Sequence, residues 1–241
     1  MRGIFVTGTD TGVGKTLVST ALILWARARG ANVGGMKPAE SGCARVGGRL
    51  VPADAELLRR AAGGEDDLER VCPHRLEAPL APGVAAAREG VEVSLERARE
   101  ALRALCAAHP DGVVVEGAGG LLLPMDAEFR TVADWIAEFG LPALVVARGG
   151  LGTINHTALT LEALAARRIV CRGVVLVART AEEEAAAAAN AEAIRRLAGA
   201  PILAIVPPLP APDPFERARR AAQVLEREFA GRKLDPADLF A

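Results

Sequence analysis

The sequence predicts an α/β fold, a doubly wound and mostly parallel sheet in a single domain over residues 1–241. Two observations carry that expectation. Short β-branched apolar runs alternate with helical patterns along the chain, and the first run leads through a glycine-rich turn into a helix. Runs apolar on both faces suit strands covered on both sides of a parallel sheet, and βαβ alternation implies right-handed crossovers between them.

In chain order, "GIFVTG" (3–8) is the first strand, and an apolar helix follows over 16–29. "ANVGGMKP" (31–38) is the second strand. Residues 39–92 are less regular and rich in Gly and Pro, with one helix at 54–62, and read as an excursion over the face where strand ends gather ligands. A helix at 93–108 leads to the strand "DGVVVEG" (111–117). A helix at 131–138 precedes "PALVVAR" (142–148), and one at 153–168 precedes "RGVVLVA" (172–178). The Ala- and Glu-rich run 181–198 has high helix propensity and leads to "PILAIVP" (201–207). The tail "PDPFERARRAAQVLEREF" is expected to form a charged amphipathic helix packed on the body. No linker or internal repeat divides the chain.

Composition excludes some classes of partner. A net charge of −1 with no long basic run argues against nucleic acid or an anionic membrane. The chain opens on a strand without a signal peptide, and no apolar run is long enough to span a bilayer, so a cytoplasmic protein is expected. Cys43, Cys72, Cys106 and Cys171 show no C-x-x-C pairing, so free thiols are expected and a zinc site is not. Lysine occurs only at 15, 37 and 233 in a chain whose other basic residues are arginine. Lys15 sits in the opening glycine-rich motif and Lys37 follows the second strand, places where a compact point charge has a chemical use; Lys233 lies in the polar tail.

The stretch "VTGTDTGVGKT" (6–16) departs from the usual phosphate loop, which would place glycine at position 9, where this chain has Thr9. Its context, between a strand and a helix, is still the one such a loop requires. Gly12 and Gly14 let the backbone curl, so that N–H groups along Gly12-Val13-Gly14 cradle phosphate oxygens at a helix N-terminus. Lys15 can reach the terminal phosphates, and the Thr16 hydroxyl can ligate Mg²⁺. The sheet is therefore expected to be of the P-loop NTPase type and to bind a nucleotide.

Magnesium seeks further oxygen ligands. Glu116 stands at a strand tip where a Walker-B-like acid would sit, and Gly117, Ala118 and Gly119 after it allow close approach of a ligand. Asp54 in "VPADAELL" reads equally well as an acid favoured by a helix N-terminus. In "MKPAESG", Lys37 and Ser41 follow the second strand onto the edge that carries the loop. A second cation there would stabilise charge during phosphoryl transfer. In "GGLGTINH" (149–156), Gly152, Thr153 and Asn155 open a helix that could hold a substrate carboxylate. His156 reads as a helix-start polar residue, and His74 and His109 have no partner pattern.

Taken together, "VTGTDTGVGKT", "MKPAESG", "VEGAGG" and "GTINHTALT" resemble the dethiobiotin synthetase family over nearly the whole length. The resemblance implies ring closure of 7,8-diaminopelargonic acid (7,8-diaminononanoate) with CO₂ to dethiobiotin, with ATP as co-substrate, through a carbamate and a carbamic–phosphoric anhydride, with ADP and phosphate released. It implies charge neutralisation by Lys15 and catalytic Lys37, Mg²⁺ on Thr16, Asp54 and Glu116, and contacts from Thr11 and Ser41 to the carbamate or diamine. It also implies a homodimer with substrate at the interface, where the helix start around Gly152, Thr153 and Asn155 serves the substrate carboxylate from the partner subunit. The competing class is a nucleotide-switch ATPase of the division or partition type. Relatives of that type carry a lysine where this chain has Asp10. One departure from the synthetase family matters: Val177 stands where an asparagine often reads the adenine edge. Base recognition is then expected to pass to backbone groups around Pro207 and Pro208, with weak base discrimination.

Overall fold

The structure is a computed structural model that describes all 241 residues. Strand β1 (Gly3–Gly8) leads into α1 (Lys15–Ala28), and β2 (Val33–Met36) follows. The excursion then holds β3 (Ala39–Glu40), a hairpin of β4 (Ala44–Val46) and β5 (Arg49–Val51), α2 (Ala53–Ala61), α3 (Leu68–Val71), β6 (His74–Arg75) and α4 (Pro82–Glu89). Beyond it come α5 (Leu95–Ala108), β7 (Gly112–Glu116), α6 (Val132–Phe139), β8 (Ala143–Arg148), α7 (Thr153–Ala166) and β9 (Cys171–Val177). The chain closes with α8 (Ala181–Ala198), β10 (Ile202–Val206), α9 (Pro214–Gly231) and α10 (Pro236–Phe240).

Six strands form one parallel sheet in the order β10-β9-β8-β1-β7-β2. The two-residue side-chain period of a strand divides the core between its faces. Phe5, Val113, Val115 and Val145 pack with α5, α6 and α7, while Ile4, Val6, Val114 and Val146 pack with α1, α9 and α10. Trp135 meets Phe139 edge-on on the first side, and Trp25 of α1 meets Phe229 of α9 edge-on at 4.8 Å on the second. The tail helix thus docks on the body as its amphipathic pattern predicts.

The strand order reverses beside β1, and it is at such a switch that the carboxyl ends of strands leave a crevice. The ends of β1, β2 and β7 therefore point the phosphate loop, Lys37 and Glu116 at one volume. The excursion is more ordered than its composition suggests: β3 pairs with β6, and Glu40 accepts a backbone bond from Leu76 at 2.8 Å. Helix α10 was not legible in the sequence, since five residues hold too few turns for periodicity. It is set by an Asp235–Asp238 capping box and by burial of Leu239 and Phe240. All four cysteines are free. His109 is a buried structural group, placed between Asn32 Oδ1 at 2.8 Å and Asp66 Oδ2 at 2.9 Å. No helix is long and apolar enough to cross a membrane.

Candidate active site

The loop between β1 and α1 ends in Gly14, the N-cap of α1, whose φ of 104° lies in the left-handed region that favours glycine. No side chain caps this helix, and its first turn holds no acid. Its free N–H groups and dipole are left to an anion. Val13 contributes backbone only, because its side chain is buried in the core.

Two lysines converge here, both almost fully buried. Lys15 Nζ donates to the Asp10 carbonyl at 2.9 Å. Burial, then the charge of Lys37, lowers the Lys15 pKa to about 8, against the pull of Glu116, Asp54 and Asp10. Lys37 Nζ donates to Glu116 Oε1 at 2.5 Å, to Asp54 Oδ2 at 3.1 Å and to the Gly117 carbonyl at 3.3 Å. Burial opposes the Lys37 charge, but Glu116 and Asp54 outweigh it and hold its pKa above the ordinary lysine value.

Glu116 is fully buried at the end of β7. Its Oε1 also accepts from Thr16 Oγ1 at 2.9 Å, while the buried Oε2 has no partner. A buried carboxylate oxygen without a partner is costly unless something else binds it. Together with Asp54 and the Thr16 hydroxyl it forms an all-oxygen donor set of the kind a hard cation takes, which fits Mg²⁺. No group of three His, Cys, Asp or Glu gathers here, so phosphate and water would complete such a cation's shell.

These groups wall a cavity of about 370 Å³ that also takes in Thr11, Ser41, Ala118 and Gly119. It shares Gly12, Gly14, Thr16 and Asp54 with a longer cleft of about 530 Å³. The far wall of that cleft holds Val177, Arg179, Pro207, Pro208, Leu209 and Arg217. Val177 lies directly against the loop: a Cβ on Gly14 would come 3.2 Å from both of its methyls. The start of α7 does not join either space. Gly152 and Asn155 are exposed, and Thr153 is turned inward toward Thr157. His156 instead borders a third hollow of about 460 Å³, with Thr9, Asp10, Leu122 and Leu159.

Sequence reasoning missed Glu40. This acid is buried on β3 and lines the 370 Å³ cavity. Its two carboxylate oxygens accept from Asp54 N at 3.0 Å and Ala55 N at 2.9 Å. Burial, then the Asp54 charge, pushes its pKa up to about 7. Its only sequence signal was its place between Lys37 and Ser41. Arg148 was missed as well; it meets Asp10 Oδ2 at 3.2 Å and so braces the loop from β8. Cys43 is buried, donates to the Glu40 carbonyl and does not reach the cavity.

A family model described as an AAA domain matches residues 2–215. The ATP-dependent dethiobiotin synthetase BioD of Anaeromyxobacter dehalogenans (strain 2CP-C) is 54% identical over 225 residues, which are 93% of this chain and 97% of that one. The chain belongs to the dethiobiotin synthetase family. Another member, the ATP-dependent dethiobiotin synthetase BioD of Thermodesulfovibrio yellowstonii, is 42% identical over 212 residues, or 85% of this chain and 88% of that one. Membership makes this chain an ATP-dependent ligase of biotin biosynthesis. Among solved structures, the MinD cell division protein of Aquifex aeolicus superposes with a TM-score of 0.58, covering 97% of both chains at 15% identity. At that identity the likeness shows the P-loop NTPase fold alone. The expected fold class and family are therefore both borne out.

Proposed function

We propose that the dethiobiotin synthetase reaction runs in the 370 Å³ cavity, on 7,8-diaminopelargonic acid, CO₂ and ATP. The observation that carries this reading is the convergence of two buried lysines, Lys15 and Lys37, with Glu116 and Asp54 at a free helix N-terminus.

In the first step an amine nitrogen bonds to CO₂ carbon and loses a proton, giving a carbamate. A carbamate oxygen then bonds to the γ-phosphorus, the bond to the bridging oxygen breaks, and ADP leaves. Finally the second amine attacks the carbonyl carbon, the C–O bond to phosphate breaks, the amine gives up a proton, and phosphate departs as the ring closes. The transfer needs an in-line approach and neutralised charge rather than protein covalent chemistry. Lys37, held charged by its two carboxylates, faces the transferring phosphoryl group with Lys15, while Thr11 and Ser41 orient the carbamate and diamine. Thr16, Asp54 and Glu116 would hold Mg²⁺, which neutralises charge on phosphate oxygens.

The base lies in the 530 Å³ cleft against Pro207 and Pro208. The side chains of its far wall are apolar apart from Arg179 and Arg217, and Arg217 is tied to the Ala211 carbonyl at 2.5 Å. No side-chain amide reads an edge there, so the rates with ATP, GTP and CTP should agree within about tenfold. A larger ATP preference in initial rates would count against this account.

The acting form is proposed to be a cytoplasmic homodimer. Leu122 and Leu159 are each 56% exposed around the third hollow, an apolar surface beside Asp10 that a second subunit would cover. There the helix start at Gly152, Thr153 and Asn155 serves the substrate carboxylate of the opposite site. The deciding experiment incubates the protein with the diamine, bicarbonate, Mg²⁺ and ATP. Dethiobiotin read by mass spectrometry should match phosphate released mole for mole. Phosphate release indifferent to the diamine would instead favour a nucleotide-switch ATPase.

A further inference from the structure

Helix α2 carries Asp54 in its first turn, yet its own N-cap is Pro52, which has no side-chain acceptor to offer. Unsatisfied N–H groups at a helix start need a partner from elsewhere. Here the partner comes from another element. Glu40 reaches from β3 and takes Asp54 N on Oε1 and Ala55 N on Oε2. When ionised, that carboxyl also sits well at the helix N-terminus.

We infer that Glu40 is a positioning residue: it clamps the backbone of Asp54 and so aims that carboxylate at the Lys37 and Glu116 side of the cavity. The inference rests on the reading above of Asp54 as a cation ligand and partner of Lys37. The clamp is anchored at both ends. Behind it, β3 is paired to β6, with the Glu40 carbonyl bonded to Leu76 N. Ahead of it, Asp54 Oδ2 meets Lys37 Nζ at 3.1 Å. The segment that presents Ser41 is the same one that presents Glu40. Seating of the excursion thus sets a substrate-side hydroxyl and a metal-side carboxylate in one movement, rather than each separately.

Glu40 touches neither phosphate nor metal in this account, so its loss should act chiefly through Asp54. The test is a double-mutant cycle of Glu40→Gln, Asp54→Asn and the two combined, read by calorimetry of MgADP and of ADP in chelator. Outer-shell support of a metal ligand is worth about tenfold or more in metal affinity. Glu40→Gln should therefore weaken MgADP about tenfold and leave metal-free ADP within about twofold. The double variant should bind MgADP no worse than Asp54→Asn alone. Amide exchange at Asp54 and Ala55 should quicken in Glu40→Gln, which supplies a readout free of metal and of turnover. The gentle Gln replacement keeps the volume; Glu40→Ala serves as a second variant.

Additive losses in the cycle, or a lowered melting temperature with the MgADP to ADP ratio unchanged, would overturn the inference and leave Glu40 a plain helix cap. Failure of the underlying reading looks different. In that case Asp54→Asn would itself leave the MgADP to ADP ratio of the wild type unmoved.

Discussion

The two ends of the proposed nucleotide cleft are built on opposite principles. At the phosphate end, Lys15, Lys37 and Glu116 are buried, charged and bonded to named partners. At the base end, Val177, Pro207, Pro208 and Leu209 offer shape and apolar contact. Charges in a poorly solvated site act strongly and tolerate little displacement, whereas apolar walls discriminate weakly between similar ligands. One end should therefore be strict about chemistry, and the other lenient about which base it holds.

Lys37→Ala tests the strict end hardest. It removes the cation proposed to face the transferring phosphoryl group and leaves Glu116 Oε1 with Thr16 alone. Loss of one preorganised charge-stabilising donor costs roughly 10²–10³-fold in kcat. KM for ATP should move much less, since the base and loop contacts remain. Steady-state rates with ATP varied at saturating diamine separate the two. A KM effect equal to the kcat effect would mean that Lys37 serves ground-state binding.

A pH series distinguishes the ends more gently. Burial, then Lys37, lowers the Lys15 pKa to about 8, and a phosphate bound beside it would restore the charged form. Above pH 8 the free protein has lost the proton that the phosphate complex must regain, so triphosphate affinity should fall about tenfold per unit from pH 8 upward. Adenosine uses only the base end and should bind with no such slope. Calorimetry in buffers of different ionisation enthalpy should show proton uptake with ATP near pH 8.5 and none with adenosine. Equal pH slopes for both ligands would break the contrast.

Legibility in the sequence follows the same division. The six strands of the main sheet were readable because each is a short apolar run between breakers, and the phosphate loop because its glycines and Lys15 fall in the span between a strand and a helix. Lys37 stood out through the scarcity of lysine. Glu40 did not: its role depends on α2 folding back over β3, a contact between residues 14 and 15 positions apart that no local pattern encodes. Asp54 was ambiguous for the same reason. It lies in the first turn of α2, and it also reaches Lys37. The start of α7 had the right motif but lines neither the 370 Å³ cavity nor the 530 Å³ cleft of the single chain; its proposed role would need a second subunit.

The smallest predicted effect, at the base end, bears most directly on the contrast. Val177 is 4% exposed and rests against Gly14, so its methyls both floor the loop and face the cleft. Val177→Asn gives that wall an amide able to pair with an adenine edge. A neutral hydrogen bond contributes about 0.5–1.5 kcal/mol net, which amounts to roughly two- to thirteenfold in favour of ATP over CTP. Without nucleotide the same amide is poorly hydrated under the loop, so the free variant should melt lower and recover the difference when ATP is added. kcat with ATP should stay within about twofold, because no charged group at the phosphate end has moved. Competition of CTP against ATP in the variant and the parent measures the selectivity. A variant that gains no preference while keeping its kcat would place base reading in the backbone around Pro207 and Pro208. A variant that loses kcat would show that the two ends are coupled through Gly14, and that the lenient wall also holds the strict loop in shape.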